Sequence, residues 1–64
     1  MKYGNTTVYD WELYIIGNWT VNEIKNTIWS CVSTGQPTPG CVSVEALRFE
    51  LIQRGEEPVG YHNT

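Results

Sequence analysis

The chain has 64 residues, and its seven acidic side chains outnumber the four basic ones to give a formal net charge of −3. Because nucleic-acid binding rests largely on cations that neutralise phosphates, this charge disfavours direct nucleic-acid binding. The sequence has no apolar run of the roughly 18 residues that a membrane-spanning helix needs, and its first residues lack the apolar core of a secretory signal. We therefore expect a single cytoplasmic domain over residues 1–64.

Aromatic residues are abundant for so short a chain, with three Trp, four Tyr and one Phe. A domain of this size buries only roughly 60% of the surface that its unfolded chain exposes. Each aromatic side chain can bury about 150–250 Å². Either the core is largely aromatic or some of these rings face a partner.

The first element that the pattern predicts is a strand over about residues 8–16. Residues alternate there with the period of two that a half-buried strand shows. One face is wholly apolar and is expected to meet the core, and the other mixes carboxylates with tyrosine and aliphatic residues. The apolar face consists of Tyr9, Trp11, Leu13 and Ile15. The mixed face consists of Val8, Asp10, Glu12, Tyr14 and Ile16. Gly17 and Asn18 end the segment, as turn residues do.

A helix start follows directly, and it predicts an amphipathic helix over about residues 21–33. Thr20 is the expected N-cap, Glu23 completes a capping box, and Trp19 is placed to pack on Ile24 as a hydrophobic staple. Apolar residues then recur at helical spacing. They are Val21, Ile24, Ile28 and Val32.

The stretch TGQPTPG, residues 34–40, breaks the helix because it contains two prolines and two glycines. A second helix is predicted over about residues 44–54, with Ser43 as its N-cap and Gly55 as its C′ residue. Its apolar stripe is Val44, Leu47, Leu51 and Ile52. After Pro58, residues 59–61 are expected to form a short C-terminal strand or a tail. The predicted fold is α+β, a small N-terminal antiparallel β element packed on two helices.

Catalytic and metal-binding patterns are weak in this chain, so we expect neither an enzyme nor a cofactor. The one histidine, His62, lies close to the end of the sequence, which is a poor place for a general base. Cys31, Cys41 and His62 lack the paired spacing of zinc modules, so no metal site is expected. The two cysteines are expected to be reduced in the cytoplasm, and a disulfide that closes the loop between them is the alternative.

A DNA-associated regulator of helix-turn-helix or winged-helix type is the alternative class of function. The stretch VEALRFELIQRGEEPVG resembles the first helix and turn of a SAP-type DNA-binding domain. The matching residues are Leu47, Leu51, Arg54, Gly55 and Gly60. The resemblance covers about seventeen residues, and leucines followed by Arg-Gly also describe an amphipathic helix with a glycine cap. It therefore does not assign the chain to that family.

The predicted strand has too few intramolecular neighbours, since only residues 1–3 and 58–61 could pair with it. A lone strand leaves backbone donors and acceptors unsatisfied. The terminal segments, a second copy in a homodimer, or the edge of another protein are the possible neighbours. Edge capture by another protein favours a non-enzymatic interaction module, a small acidic inhibitor or adaptor of phage or mobile-element type that docks on a larger host protein. That partner could itself be a nucleic-acid-binding protein. The expected partner-binding residues are Asp10, Glu12, Tyr14, Glu56, Glu57 and Tyr61.

Overall fold

The computed structural model describes residues 1–60 and has a short β-hairpin followed by three α-helices. The strands are β1, Lys2–Tyr3, and β2, Thr6–Thr7; the helices are α1, Asp10–Ile16, α2, Val21–Thr34, and α3, Val44–Gln53. A 3₁₀ turn, Pro39–Cys41, interrupts the connection between α2 and α3. The predicted α+β class is confirmed. Within residues 1–60, each helix is too short or too polar to cross a membrane.

The β element is a local antiparallel hairpin at the N-terminus. Lys2 pairs with Thr7 and Tyr3 pairs with Thr6, and Gly4 adopts a φ of +61° in the turn between them, which is costly for residues other than glycine. β1 also lies against α3. Residues 1–3, one of the two candidate neighbours of the predicted strand over residues 8–16, thus contain a strand, but it pairs with β2.

The strand predicted over residues 8–16 is wrong, because Asp10–Ile16 forms the helix α1. Two turns of helix present so few residues that the period-two alternation could not be told from a helical arrangement by pattern alone. The predicted core face is also wrong in part, since Tyr9 and Trp11 are about half exposed while Glu12 and Ile16 are buried. With this strand removed, the inference that it needs a neighbouring strand from elsewhere no longer holds.

The two predicted helices are confirmed with nearly the predicted bounds. Thr20 Oγ1 accepts from the Glu23 N–H at 3.1 Å, and the Glu23 carboxylate accepts from the Thr20 N–H at 2.7 Å, which completes the predicted capping box. Ser43 caps α3 by accepting from the Ala46 N–H. Gly55, at a φ of +79°, follows α3 at the predicted C′ position.

The core lies where the three helices and the hairpin meet. Its buried members are Val8, Ile16, Ile24, Ile28, Val42, Ala46, Leu47 and Leu51. Trp19 packs against this cluster, whereas the predicted stripe residues Val32 and Ile52 are exposed. The core of residues 1–60 is therefore aliphatic, and the aromatic residues of that range lie around it or on the surface.

The segment after α3 returns to α2 and forms no strand within residues 54–60. Gly60 approaches α2 so closely that a Cβ on it would lie 2.5 Å from the Trp29 backbone nitrogen. Residues 58–60 are therefore a packed tail. The remaining residue of the predicted C-terminal element, Tyr61, lies outside the described residues.

Candidate interaction surface

The inward side of α1 is fixed at its first turn by a buried carboxylate. Glu12 is only 3% exposed, and its Oε1 accepts from the Tyr9 N–H at 3.0 Å while its Oε2 accepts from the Ser43 N–H at 2.7 Å. Ser43 is the N-cap of α3. One carboxylate therefore satisfies the start of α1 and ties it to the start of α3.

The ionisation of Glu12 follows from these contacts. Burial raises the pKa of this carboxyl, but hydrogen bonds from the Tyr9 backbone and from the backbone and hydroxyl of Ser43 outweigh burial, so the pKa lies below its usual value. Hydrogen bonds to the charged form of a carboxyl favour that form. Glu12 is therefore a charged structural group at neutral pH.

The other end of α1 is fixed by Arg54, the residue that ends α3. One guanidinium nitrogen donates to the Trp19 carbonyl at 2.6 Å. Another donates to the carbonyls of Ile16 and Gly17 at 3.2 and 3.3 Å. Glu50, one turn earlier on α3, holds the guanidinium in place through an Nε to Oε2 contact of 2.8 Å. Arg54 thus donates to three carbonyl groups at and just after the end of α1, where helical backbone acceptors lack intrahelical partners; the Ile16 carbonyl also accepts from the Trp19 N–H at 3.0 Å.

These contacts join the first turn of α1 to the first turn of α3, and the end of α1 to the end of α3. The two helices therefore run side by side in roughly the same direction. α1 has seven residues, fewer than an isolated helix needs for stability in water. Its shape consequently depends on the contacts of Glu12 and Arg54 and on the burial of Ile16.

The outward side of α1 carries aromatic rings. Tyr14 is 85% exposed, and Trp11 and Tyr9 are 50% and 55% exposed. Helical geometry places Asp10, Trp11 and Tyr14 within an arc of about 100°. The rings of Tyr9 and Trp11 stack with centroids 6.4 Å apart and planes inclined by 15°. We call Tyr9, Asp10, Trp11 and Tyr14 the α1 surface.

The structure does not bring the six expected partner-binding residues together on one face. Asp10 and Tyr14 are exposed on α1, but Glu12 points inward and is not available to a partner. This corrects the expected strand face, because residues 10 and 12 lie about 200° apart around a helix.

The other expected partner-binding residues follow α3. Glu56 and Glu57 are exposed there, and Glu56 pairs with Lys25 of α2 at 3.6 Å. Tyr61 lies outside the described residues. Whether the exposed members of the set bind a partner stays a prediction.

The strand pattern places Tyr9 and Trp11 in the core, whereas in the structure both rings are about half exposed. A helical reading of residues 10–16 would have placed Trp11 beside Asp10 and Tyr14. The signal for that reading is the three-residue spacing of Tyr9 and Glu12, which is the spacing between an N-cap and the acid that completes a capping box.

Groups that bind metals or perform catalysis do not converge elsewhere in the described chain. Among residues 1–60, no three His, Cys, Asp or Glu side chains come together where a metal ion could be held. Both cysteines are free, and burial raises the pKa of the Cys31 thiol, which keeps it in its less reactive protonated form. His62 lies outside the described residues.

An open groove of about 260 Å³ lies between α2 and the proline-containing loop. Its lining is Asn26, Thr27, Ser30, Gln36, Pro37 and Pro39. The lining contains no titratable or nucleophilic pair that could perform acid–base chemistry. The groove therefore offers no constellation for catalysis.

Two of the four basic residues contact groups within the chain. Arg54 is engaged with the end of α1, and Lys25 pairs with Glu56, so two of the four Lys and Arg residues serve contacts within the chain. The connection between α2 and α3 spans residues 35–43, which is longer than the 3–4 residues of a helix-turn-helix.

No family model matches this chain. Curated proteins and solved structures also provide no significant match.

Proposed function

We propose that the chain is a non-enzymatic protein–protein interaction module that docks on its partner through the α1 surface. The observation that carries this proposal is the exposure of Tyr14, 85%, beside the half-exposed stacked pair of Tyr9 and Trp11. Tyr and Trp dominate the energetically important positions of protein interfaces. Their rings bring a large contact area at a low cost in conformational entropy.

The inner side of α1 supports the same proposal. Glu12 and Arg54 fix the two ends of the helix to α3, so the backbone that carries the outer rings is already ordered before a partner arrives. A surface that is ordered in advance loses less entropy on binding. The residues that hold α1 in place, Glu12 and Arg54, are thus different from the residues proposed to bind.

The finer form of the proposal is a small acidic inhibitor or adaptor of phage or mobile-element type that acts on a larger host protein in the cytoplasm. Its support is the size and charge of the chain, 64 residues and −3. An acidic surface speeds association with a basic protein face and favours it over acidic competitors. A host protein whose basic face normally holds nucleic acid is a partner of this kind.

Substitution of Tyr14 by Ser is expected to abolish or strongly reduce partner capture without unfolding the chain. Removal of a central aromatic residue from an interface typically costs about 2 kcal/mol or more of binding free energy, which corresponds to roughly a thirtyfold loss of affinity. The measurement is quantitative mass spectrometry of proteins captured by the immobilised chain from a lysate of its source cells.

Val32→Ser is the matched control, because Val32 is also a well exposed apolar residue, 63%, but lies on α2. The proposal requires a protein that Tyr14→Ser loses and Val32→Ser retains. Equal capture of every protein by both variants would exclude the α1 surface. Salt-dependent binding of the wild-type chain to random duplex DNA would favour a DNA-associated regulator instead.

A further inference from the structure

We propose that the α1 surface recognises an arginine side chain of the partner, held between the Asp10 carboxylate and the rings of Trp11 and Tyr14. This inference rests on the proposed function and specifies the chemistry of the partner. It follows from three features of the described residues: an exposed carboxylate, exposed ring faces next to it, and the net charge of the chain.

The carboxylate of Asp10 has no cation of its own within residues 1–60. The ion pairs of this region are Lys25 with Glu56 and Arg54 with Glu50, and both lie away from Asp10. Asp10 is exposed and is the one acidic residue of the α1 surface. An incoming cation would therefore form a new ion pair and would not have to displace an existing one.

The rings beside Asp10 add a second attraction for a cation. The face of a Trp or Tyr ring carries partial negative charge and attracts a cation within about 6 Å of its centre. Trp11 follows Asp10 directly, and Tyr14 lies one turn further on the same side of α1. Asp10 and Tyr14 are four positions apart on α1, which is the spacing at which helical side chains are neighbours, so a guanidinium paired with Asp10 would lie beside the Tyr14 ring. The Trp11 ring, which stacks with Tyr9, is three residues from Tyr14 and borders the same position.

Arginine fits this arrangement better than lysine. The guanidinium is planar, stacks on aromatic rings, and presents paired N–H donors to a carboxylate, whereas the lysine ammonium is a compact and strongly hydrated charge. The net charge of −3 adds a long-range attraction for a basic surface. A nucleic acid is disfavoured by the same charge, so the occupant is an arginine-bearing protein segment.

The test is a titration of the full ¹⁵N-labelled chain with a short peptide, acetyl-Gly-Arg-Gly-Arg-Gly amide, followed by NMR. A matched peptide replaces each arginine with citrulline, which keeps the shape and removes the charge. We expect the arginine peptide to shift the Trp11 indole N–H and the Tyr14 backbone signals saturably. Binding of the citrulline peptide should be at least fivefold weaker, as expected from the loss of one ion pair and of the cation–ring attraction.

The substitution D10N is expected to weaken binding of the arginine peptide about two- to fivefold, the usual range for an exposed ion pair. V32S is expected to leave the affinity for this peptide unchanged. Equal binding of both peptides, equal binding to D10N, or shifts confined to residues outside α1 would overturn the inference. A duplex oligonucleotide that shifts the same signals would also overturn it.

Failure of this inference can be told from failure of the proposed function. If the arginine peptide does not bind while Tyr14→Ser still loses a captured protein that Val32→Ser keeps, the interaction function stands and the arginine chemistry is wrong. If Tyr14→Ser loses nothing, the interaction function itself is wrong. The two results come from separate measurements on the same set of variants.

Discussion

Substitution of Glu12 by Ala is expected to lower the free energy of unfolding by about 2–5 kcal/mol. The change removes the carboxylate that accepts hydrogen bonds from the Tyr9 and Ser43 N–H groups. Each buried donor left unsatisfied costs about 1–3 kcal/mol. A chain of this length has a total stability of roughly 3–10 kcal/mol. Chemical denaturation followed by tryptophan fluorescence is expected to show an unfolding midpoint at a clearly lower denaturant concentration than in the wild type.

Glu23→Ala is the matched control for that substitution. Glu23 occupies the same helical position in α2 and accepts from the N-cap N–H of its own helix, but it is exposed and joins no second element. We expect a clearly smaller loss of stability for this variant. Equal losses for the two variants would mean that the link from α1 to α3 contributes nothing.

Acid should destabilise the protein partly through Glu12. Its pKa is lowered in the folded chain from the ordinary 4.5, so the folded state favours the ionised form more than the unfolded state does. The stabilisation is therefore fully present above about pH 4.5 and is lost as the pH falls through the lowered folded pKa. The pKa of Glu23 is also lowered, by hydrogen bonds from the backbone and side chain of Thr20, and adds to the same trend.

The conservative variant Glu12→Gln isolates the part of this pH dependence that belongs to Glu12. Glutamine keeps one acceptor oxygen but does not titrate, so the fall in unfolding free energy between pH 6 and pH 3 is expected to be smaller than in the wild type. Denaturation curves across that range measure the difference. An unchanged slope would show that ionisation of Glu12 is not linked to folding.

Substitution of Arg54 by Ala is expected to cost about 1–3 kcal/mol, because the carbonyls of Ile16, Gly17 and Trp19 lose a charged donor. Arg54→Lys should recover only part of this loss, since one ammonium cannot span three carbonyls and the Glu50 carboxylate as a planar guanidinium does. The variants are compared by chemical denaturation.

Arg48→Ala supplies the control for charge removal on α3. Arg48 is partly buried on the same helix and makes none of these contacts with the end of α1. Its loss is expected to change stability by no more than about 0.5 kcal/mol, as is usual for substitutions away from special features. Equal losses of stability in Arg48→Ala and Arg54→Ala would mean that the destabilisation comes from removing a positive charge and not from losing the guanidinium contacts with the end of α1.

The helices α2 and α3 could be predicted because their signals are local. The mutual contacts of Thr20 and Glu23, and the contact of Ser43 with Ala46, join residues three positions apart. Gly55 likewise ends a helix through its own backbone conformation. Such signals can be read from neighbouring letters of the sequence because they do not depend on the rest of the fold.

The structure of residues 8–16 could not be predicted in the same way because its decisive contacts are distant in sequence. Glu12 meets Ser43 thirty-one positions away, and Arg54 meets Ile16 thirty-eight positions away. Acidic residues are seldom fully buried, so an inward-facing Glu12 is not expected from its residue type. Once Glu12 faces inward, helical geometry places Tyr14 outside.

The candidate site was therefore predicted in part. Asp10 and Tyr14 were expected to face outward and do so, although on a helix and not on a strand. Trp11 and Tyr9 were expected in the core because apolar residues usually belong there. The core instead consists of aliphatic residues, with members from all three helices. These two rings therefore lie at the surface.

Partner capture by two double variants tests the central claim most directly. Trp11→Ser with Tyr14→Ser removes two exposed rings from α1, and Val32→Ser with Ile52→Ser removes two exposed aliphatic side chains from α2 and α3. Circular dichroism first establishes that both are folded. We expect the first variant to lose a protein that the second and the wild type capture in equal amounts. Equal capture by both variants would contradict an interaction function for α1.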